Sequence, residues 1–240
     1  MAIFWRLMFG HLLADFTFQT NFINRWKRIN FIGLLVHCLM HPVFYIVLCW
    51  PYLNENWVEN KLFHLNGWAC LFVIFVTHFL EDWWRVYTIR RYGMPDNTFF
   101  FIWDQVIHYS VIFAVAPMAI ANATSLGFFP EKWPALGCLF VLITHGCTVV
   151  IYFLEKDFHG AAYPGFDEKH LAMAERLVLA LCLLFPSAYG AAILAAGWLG
   201  VMFFLRRKRM FDLTAFTFYL GTALSILCGL AARAIYYTSL

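Results

Sequence analysis

The stretch Gly10-His11-Leu12-Leu13-Ala14-Asp15-Phe16 (GHLLADF) lies inside an apolar run that begins at Met1 and sets a histidine and an aspartate one helical turn apart. How it is read depends on its solvent. In hydrocarbon an ionisable side chain is costly unless it is paired, hydrated or bound to an ion. The rest of the chain supplies that solvent. Of 240 residues, 62% are hydrophobic, 20% aromatic and only 13% charged, too few charges for the solvated surface of a soluble domain. The expected fold is an all-α polytopic bundle in a membrane.

A crossing helix needs about 20 apolar residues, and candidates lie near 2–20, 31–50, 67–85, 99–121, 134–154 and 213–237. The first lacks the basic start and small-residue cleavage site of a signal peptide and is taken as a mature crossing. The apolar region 171–205 is too long for one crossing, with Pro186, Ser187 and Gly190 near its middle. Basic loops stay cytoplasmic. They hold Arg25, Lys27 and Arg28; Arg85, Arg90 and Arg91; and Arg206, Arg207, Lys208 and Arg209, whereas the loop with Glu55, Glu59 and Lys61 and the neutral 122–133 loop suit the other side. Returning Arg206–Arg209 to the cytoplasm makes 171–205 a hairpin and gives eight crossings with both termini outside; one long tilted helix would give seven. The chain reads as one integral membrane domain, 1–240, with a four-helix polar core at 1–121 and further helices at 134–240. The net charge of +3 comes from the basic loops and carries no nucleic-acid signal. The seven cysteines lie in apolar segments without C-x-x-C pairing and read as small core residues.

Four successive crossings each carry an i, i+4 polar pair: His11 and Asp15, His37 and His41, His78 and Asp82, Asp104 and His108. That spacing stacks both side chains on one helix face. At about 1.5 Å per residue, Asp15, His37, Asp82 and Asp104 lie about 5–9 Å from the cytoplasmic ends of their segments, and His11, His41, His78 and His108 about 11–15 Å. Depth therefore permits a shared layer. Adding 67 to 11, 15, 37 and 41 gives 78, 82, 104 and 108, so hairpin 1–50 recurs as hairpin 67–121. Parallel repeats related by an axis along the membrane normal would bring the four stripes together. The same shift carries His78 to His145 and His108 to Glu175, a weaker third match.

Five histidines and three aspartates from four helices suit zinc, with iron or manganese as alternatives, and are enough for one or two divalent ions. Hydrogen-bonded His–Asp pairs gluing helices together are the structural alternative. Asp15, His41 and Asp104 are the residues assigned to proton transfer. Gln105 is placed to orient ligands, or to bond between helices. Glu81, about 100° round the helix from Asp82, is assigned to an interface. Arg85, Arg90 and Arg91 are explained by the positive-inside rule, with head-group binding as the alternative. Glu175 and Arg176 are expected to pair with groups at the membrane entrance.

GHLLADFTFQT resembles the G-H-L-L-A-D-F-x-x-Q opening of a bacterial multipass membrane family catalogued only as a domain of unknown function. HFLEDWWR, DQVIH and ERLVLALCLL resemble its later H-x3-D, D-Q-x-x-H and E-R stretches. The chain departs from that pattern at FFLRRKRMFD and adds a crossing at 213–237. The resemblance implies the fold and a place in the bacterial inner membrane. More distantly, the H-x3-D helices are similar to those of membrane-bound metal-dependent hydrolases, which implies His11, Asp15, His78, Asp82, Asp104 and His108 as ligands. His37 and His41 rest on spacing.

The leading functional expectation is a metal-dependent hydrolase acting on a lipid-linked substrate from the cytoplasmic leaflet, since no Ser or Cys nucleophile elbow is present and metals activate water. A divalent-cation transporter or channel, and an accessory or haem-binding subunit of a membrane complex, are the alternatives. Expected partners are membrane lipids, the lipid-linked substrate and other membrane subunits.

Overall fold

The computed structural model describes residues 1–59, 64–117, 131–208 and 214–237. The described chain is almost wholly helical, with one antiparallel ribbon, β1 (Asn56–Glu59) and β2 (His64–Asn66). Contacts divide it into two compact units, Met1–Cys138 and Leu139–Ser239.

In the first unit α1 (Ala2–Leu12) continues into a π-turn (Leu13–Thr17), followed by a short α2 (Asn21–Ile29), α3 (Phe31–Cys49), α4 (Gly67–Tyr92) and α5 (Thr98–Val115). The sequence sets these boundaries. The side-chain oxygens of Thr20, Asn30, Asn66 and Asn97 accept from the backbone N–H groups of Ile23, Ile32, Ala69 and Phe100, so each of these starts is capped by a short polar residue. Gly93, at φ 64°, ends α4 in the left-handed conformation that glycine adopts at least cost.

The four long helices form a ring: α1 packs on α3, α3 on α4, α4 on α5, and α5 back on α1. A shift of 67 residues maps α1 onto α4 and α3 onto α5. Beyond the histidines the ring is filled by an apolar core that includes Leu7, Tyr45, Ile74 and Ile112. Each lies four residues from His11, His41, His78 or His108, so every helix passes from polar layer to apolar core within one turn. Between lipid-bathed helices such a core contributes mainly close packing, because lipid is as apolar as the core itself.

The division between units falls in a helical run made of α6 (Lys132–Val141), a π-turn (Leu142–Gly146) and α7 (Cys147–His159). The second unit continues with α8 (Phe166–Leu183), α9 (Ala188–Arg207) and α10 (Ala215–Tyr237). Region 171–205 is broken at Leu184–Ser187, and α8 packs against both α9 and α10. Arg233 stabilises the break by donating to the carbonyls of Leu183 (3.0 Å), Pro186 (2.9 Å) and Phe185, which the ended helix leaves unsatisfied. The partners of Arg176 are groups within the protein. Its side chain is buried, donating to the Ile143 (2.9 Å) and Thr144 (3.0 Å) carbonyls and to the Thr148 hydroxyl, groups in and next to the π-turn.

Among the described residues five helices are long and apolar enough to cross a bilayer: Phe31–Tyr52, Thr98–Val115, Lys132–His159, Ala188–Arg207 and Ala215–Tyr237. The chain is a membrane protein. The expectation of eight crossings is not met, and the three helices that fall short do so for identifiable reasons. Helix α1 has 11 residues before its π-turn. Helix α4 carries His78, Glu81, Asp82 and Arg85, and α8 carries Asp167, Glu168, Lys169, Glu175 and Arg176. In α4 the side chains that dilute its apolar character are those that build the polar layer. Lys61, residues 122–130 of the supposed outer loop and Arg209 lie outside the described residues.

Candidate metal centre

The ring of α1, α3, α4 and α5 buries all eight expected side chains, with His11, His37 and His41 completely inaccessible. Seven of the eight, joined by Glu81, gather their ligand atoms into two groups, each with atoms within 4.8 Å of one another: Asp15, His37, His41 and His78, and then Glu81, Asp82, Asp104 and His108. Cys38 forms a smaller set with His78 and Asp82.

Asp15 is the hub of the first group. It sits in the π-turn, its Oδ1 lying 3.2 Å from His41 Nε2 and 3.3 Å from His37 Nε2, while Gln105 Nε2 donates to Oδ2 at 3.0 Å. His37 Nε2 is also 3.3 Å from Asp82 Oδ2, so one imidazole bridges the two groups. In the second group His108 Nε2 lies 3.4 Å from Glu81 Oε2, 3.6 Å from Asp104 Oδ1 and 3.8 Å from Asp82 Oδ1. The rings of His41 and His78 are 3.9 Å apart, and those of His78 and His108 stack at 4.0 Å.

Hydrogen bonds within the protein leave several of these atoms unsatisfied. The Nε2 atoms of His37, His78 and His108, Oδ1 of Asp104 and both carboxylate oxygens of Glu81 are buried without a well-aligned hydrogen bond, and apart from Glu81 Oε1 their polar contacts are the longer ion-pair distances within the layer. Buried polar atoms without well-aligned hydrogen bonds are costly, and their gathering into two compact clusters makes them a candidate cation-binding donor set. Mixed imidazole and carboxylate donors suit divalent ions of the zinc, iron and manganese kind.

Not every expected residue takes the place assigned to it. His11 belongs to neither four-residue group; its Nε2 lies 3.3 Å from Asp15 Oδ2 and 3.4 Å from Gln105 Oε1, where it buttresses the Asp15 carboxylate. Glu81 was assigned to an interface and instead enters the second group. In a four-helix ring α4 has two neighbours on different sides, so a residue about 100° from Asp82 still meets α5. Lys27, read only as a loop charge, reaches in from α2 with Nζ 3.0 Å from Asp82 Oδ2. Burial alone would lower its pKa; Asp82 first, then Asp15 and Asp104, outweigh burial and raise it, so the ammonium stays charged. Arg85 pairs through one nitrogen with Asp104 at 2.9 Å and through the other with Asp96 at 3.0 Å; Arg28 holds the second oxygen of Asp96 at 2.8 Å. The aromatic residues around Lys27 mark an interfacial position, but no sequence signal says which carboxylate it meets. Beside the second group a groove is lined by Glu81 and Arg85 together with Trp84, Met94, Phe100 and Trp103.

Residues 3–136 match the family described as "Protein of unknown function (DUF3307)". The chain belongs to that family. The DUF3307 match contains the whole polar layer, from His11 to His108, along with Lys27, Arg28 and Asp96. It ends before α7, so the Glu175-Arg176 stretch and α10 lie outside it. No curated protein and no solved structure matches the chain.

Proposed function

We propose that this DUF3307 protein is a membrane-embedded, divalent-metal-dependent hydrolase that acts on a lipid-linked or otherwise hydrophobic substrate, reached from the cytoplasmic face of a bacterial inner membrane. The observation that carries the reading is the pair of buried four-residue donor groups with their unsatisfied Nε2 and carboxylate atoms. Divalent ions held there would polarise the scissile group and supply an activated water. Asp15 and His41, bonded to one another, serve as ligands. Glu81 belongs to the donor group and also lines the groove, which suits it to pass a proton between water and leaving group, with Asp104 beside it. The groove is too small to enclose an acyl or prenyl chain, but its aromatic side chains suit contact with the apolar part of a substrate lying in the bilayer, and Arg85 at the same groove suits an anionic head group.

A cation transporter needs a path out of the far side of the layer. The core containing Leu7, Tyr45, Ile74 and Ile112 closes that side, which favours a one-sided pocket. Haem is disfavoured, because the imidazoles pack on one another and carboxylates lie among them.

The test is elemental analysis of detergent-purified protein, followed by hydrolysis of phosphoester and amide lipid analogues with and without chelator. Stoichiometric metal, chelator-sensitive turnover and loss of both in Asp82→Ala are expected. A folded parent with no bound metal overturns the reading, and metal flux into proteoliposomes without hydrolysis replaces it with transport.

A further inference from the structure

The two donor groups differ in composition and in what already neutralises them. The first has three imidazoles and one carboxylate, and among the described residues no lysine or arginine forms an ion pair with Asp15. The second has one imidazole and three carboxylates, two of which are engaged by cationic side chains: Asp82 by Lys27 at 3.0 Å and Asp104 by Arg85 at 2.9 Å. Nitrogen-rich sets favour zinc-like borderline ions, and oxygen-rich sets favour manganese or magnesium.

Charge counting sharpens the contrast. With histidines neutral and carboxylates ionised, the forms that ligate a metal, the first group carries one negative charge and the second three, of which Lys27 and Arg85 offset two, so the layer presents minus two to incoming ions. One divalent ion makes it neutral. A second leaves it at plus two, unless a cationic side chain withdraws or an anion enters. Within a buried, low-dielectric layer that surplus is unfavourable. Arg85 is also tied to Asp96, whereas the only ion pair of Lys27 among the described residues is with Asp82. Lys27 is therefore the side chain free to leave, and it sits on a short helix that α3 alone holds extensively.

We propose that the two groups are inequivalent metal sites: Asp15, His37, His41 and His78 hold a resident zinc-like ion, while Glu81, Asp82, Asp104 and His108 form an exchangeable site for a harder ion such as Mn²⁺. Lys27 is the built-in competitor for the second site. Its ammonium occupies Asp82 until the second ion displaces it, and the displaced ammonium, together with Arg85, balances an anionic substrate group. This inference rests on the metal-dependent reading above.

The experiment uses full-length, metal-stripped protein in detergent, titrated with Zn²⁺ by calorimetry and then with Mn²⁺ followed by electron paramagnetic resonance. The parent should bind one Zn²⁺ tightly and Mn²⁺ far more weakly. Lys27→Met should raise Mn²⁺ affinity about tenfold or more by removing a unit charge beside a ligand oxygen, with a clearly smaller rise in Zn²⁺ affinity, because Lys27 pairs with Asp82 and acts on Asp15 only from farther away. Lys27→Arg, which keeps the charge, should leave Mn²⁺ affinity near the parent value, and His41→Ala should lose the Zn²⁺ site while keeping the Mn²⁺ response to Lys27→Met. Mn²⁺ affinity unchanged in a folded Lys27→Met, or Zn²⁺ and Mn²⁺ affinities rising by the same factor, overturns this inference and leaves the metal reading standing. A parent that binds neither ion removes both.

Discussion

Replacing Gly33 by alanine tests how α2, and with it Lys27, is held at the site. Gly33 lies in the first turn of α3 where α2 crosses it, and a Cβ there would meet the carbonyl carbon, the oxygen and the Cγ of Trp26, each at 2.6 Å. Carbon atoms rest at about 3.5–4.0 Å, so α2 must retreat by about 1 Å, and two of the three obstructing atoms are main chain that no rotamer change can move. Overpacking of this kind costs about 1–3 kcal/mol. The control is Gly197→Ala in α9, where a Cβ meets nothing within 4 Å. There the helix should gain about 0.5–1 kcal/mol from the lost backbone freedom of glycine. Thermal unfolding of both variants in one detergent reads the difference. Gly33→Ala should lower Tm by about 2 °C or more, and Gly197→Ala should match or exceed the parent. Because the shift also draws Lys27 away from Asp82, Gly33→Ala should raise Mn²⁺ affinity in the same direction as Lys27→Met. A Gly33→Ala Tm equal to that of Gly197→Ala would refute the argument that Trp26 and Gly33 fix the position of α2.

Arg176→Met keeps the buried stem but removes the donor to the Ile143 and Thr144 carbonyls and to the Thr148 hydroxyl; it should destabilise the protein by about 3 kcal/mol or more, from the loss of several charge-assisted bonds, seen as a lower Tm with the metal content of the folded fraction unchanged. Burial tends to raise the Asp96 carboxyl, but Arg28 first and then Arg85 outweigh that and hold it below the ordinary value. A carboxyl depressed in the fold stabilises above its unfolded pKa of about 3.9 and loses that contribution as pH falls through the lower folded value. The Tm difference between the parent and Asp96→Asn should therefore be constant from about pH 5 to 8 and shrink below about pH 4; a difference that grows on acidification would show that the two guanidinium groups do not clamp Asp96.

Much of the polar layer was legible because helical periodicity is a local property. Residues four apart share a face whatever the helix packs against, so His11 and Asp15, or Asp104 and His108, formed stripes before any fold was known. The helix starts were legible too, in Thr20, Asn30, Asn66 and Asn97, because a cap is made within a few residues of itself. The hairpin in 171–205 was marked by Pro186 and Ser187, although Arg233, which secures it, lies in a different helix. The number of crossings was misread for a related reason. Hydropathy weighs a histidine or aspartate by its type alone, while α4 carries its polar side chains where partners in the ring accept them and α1 gives way to a π-turn after 11 residues.

Taken alone, the sequence determined that the chain is helical, that it belongs in a membrane, and which side chains line up on each helix. Tertiary structure alone decided that Glu81 turns inward, that His11 supports Asp15 instead of joining a donor group, that Lys27 reaches Asp82, and that eight donors divide into a nitrogen-rich and an oxygen-rich set. A helix specifies directions around its own axis. Which of those directions meet is set by the order of the four helices around the ring and by the π-turn that places Asp15, and both depend on contacts between residues far apart in the chain.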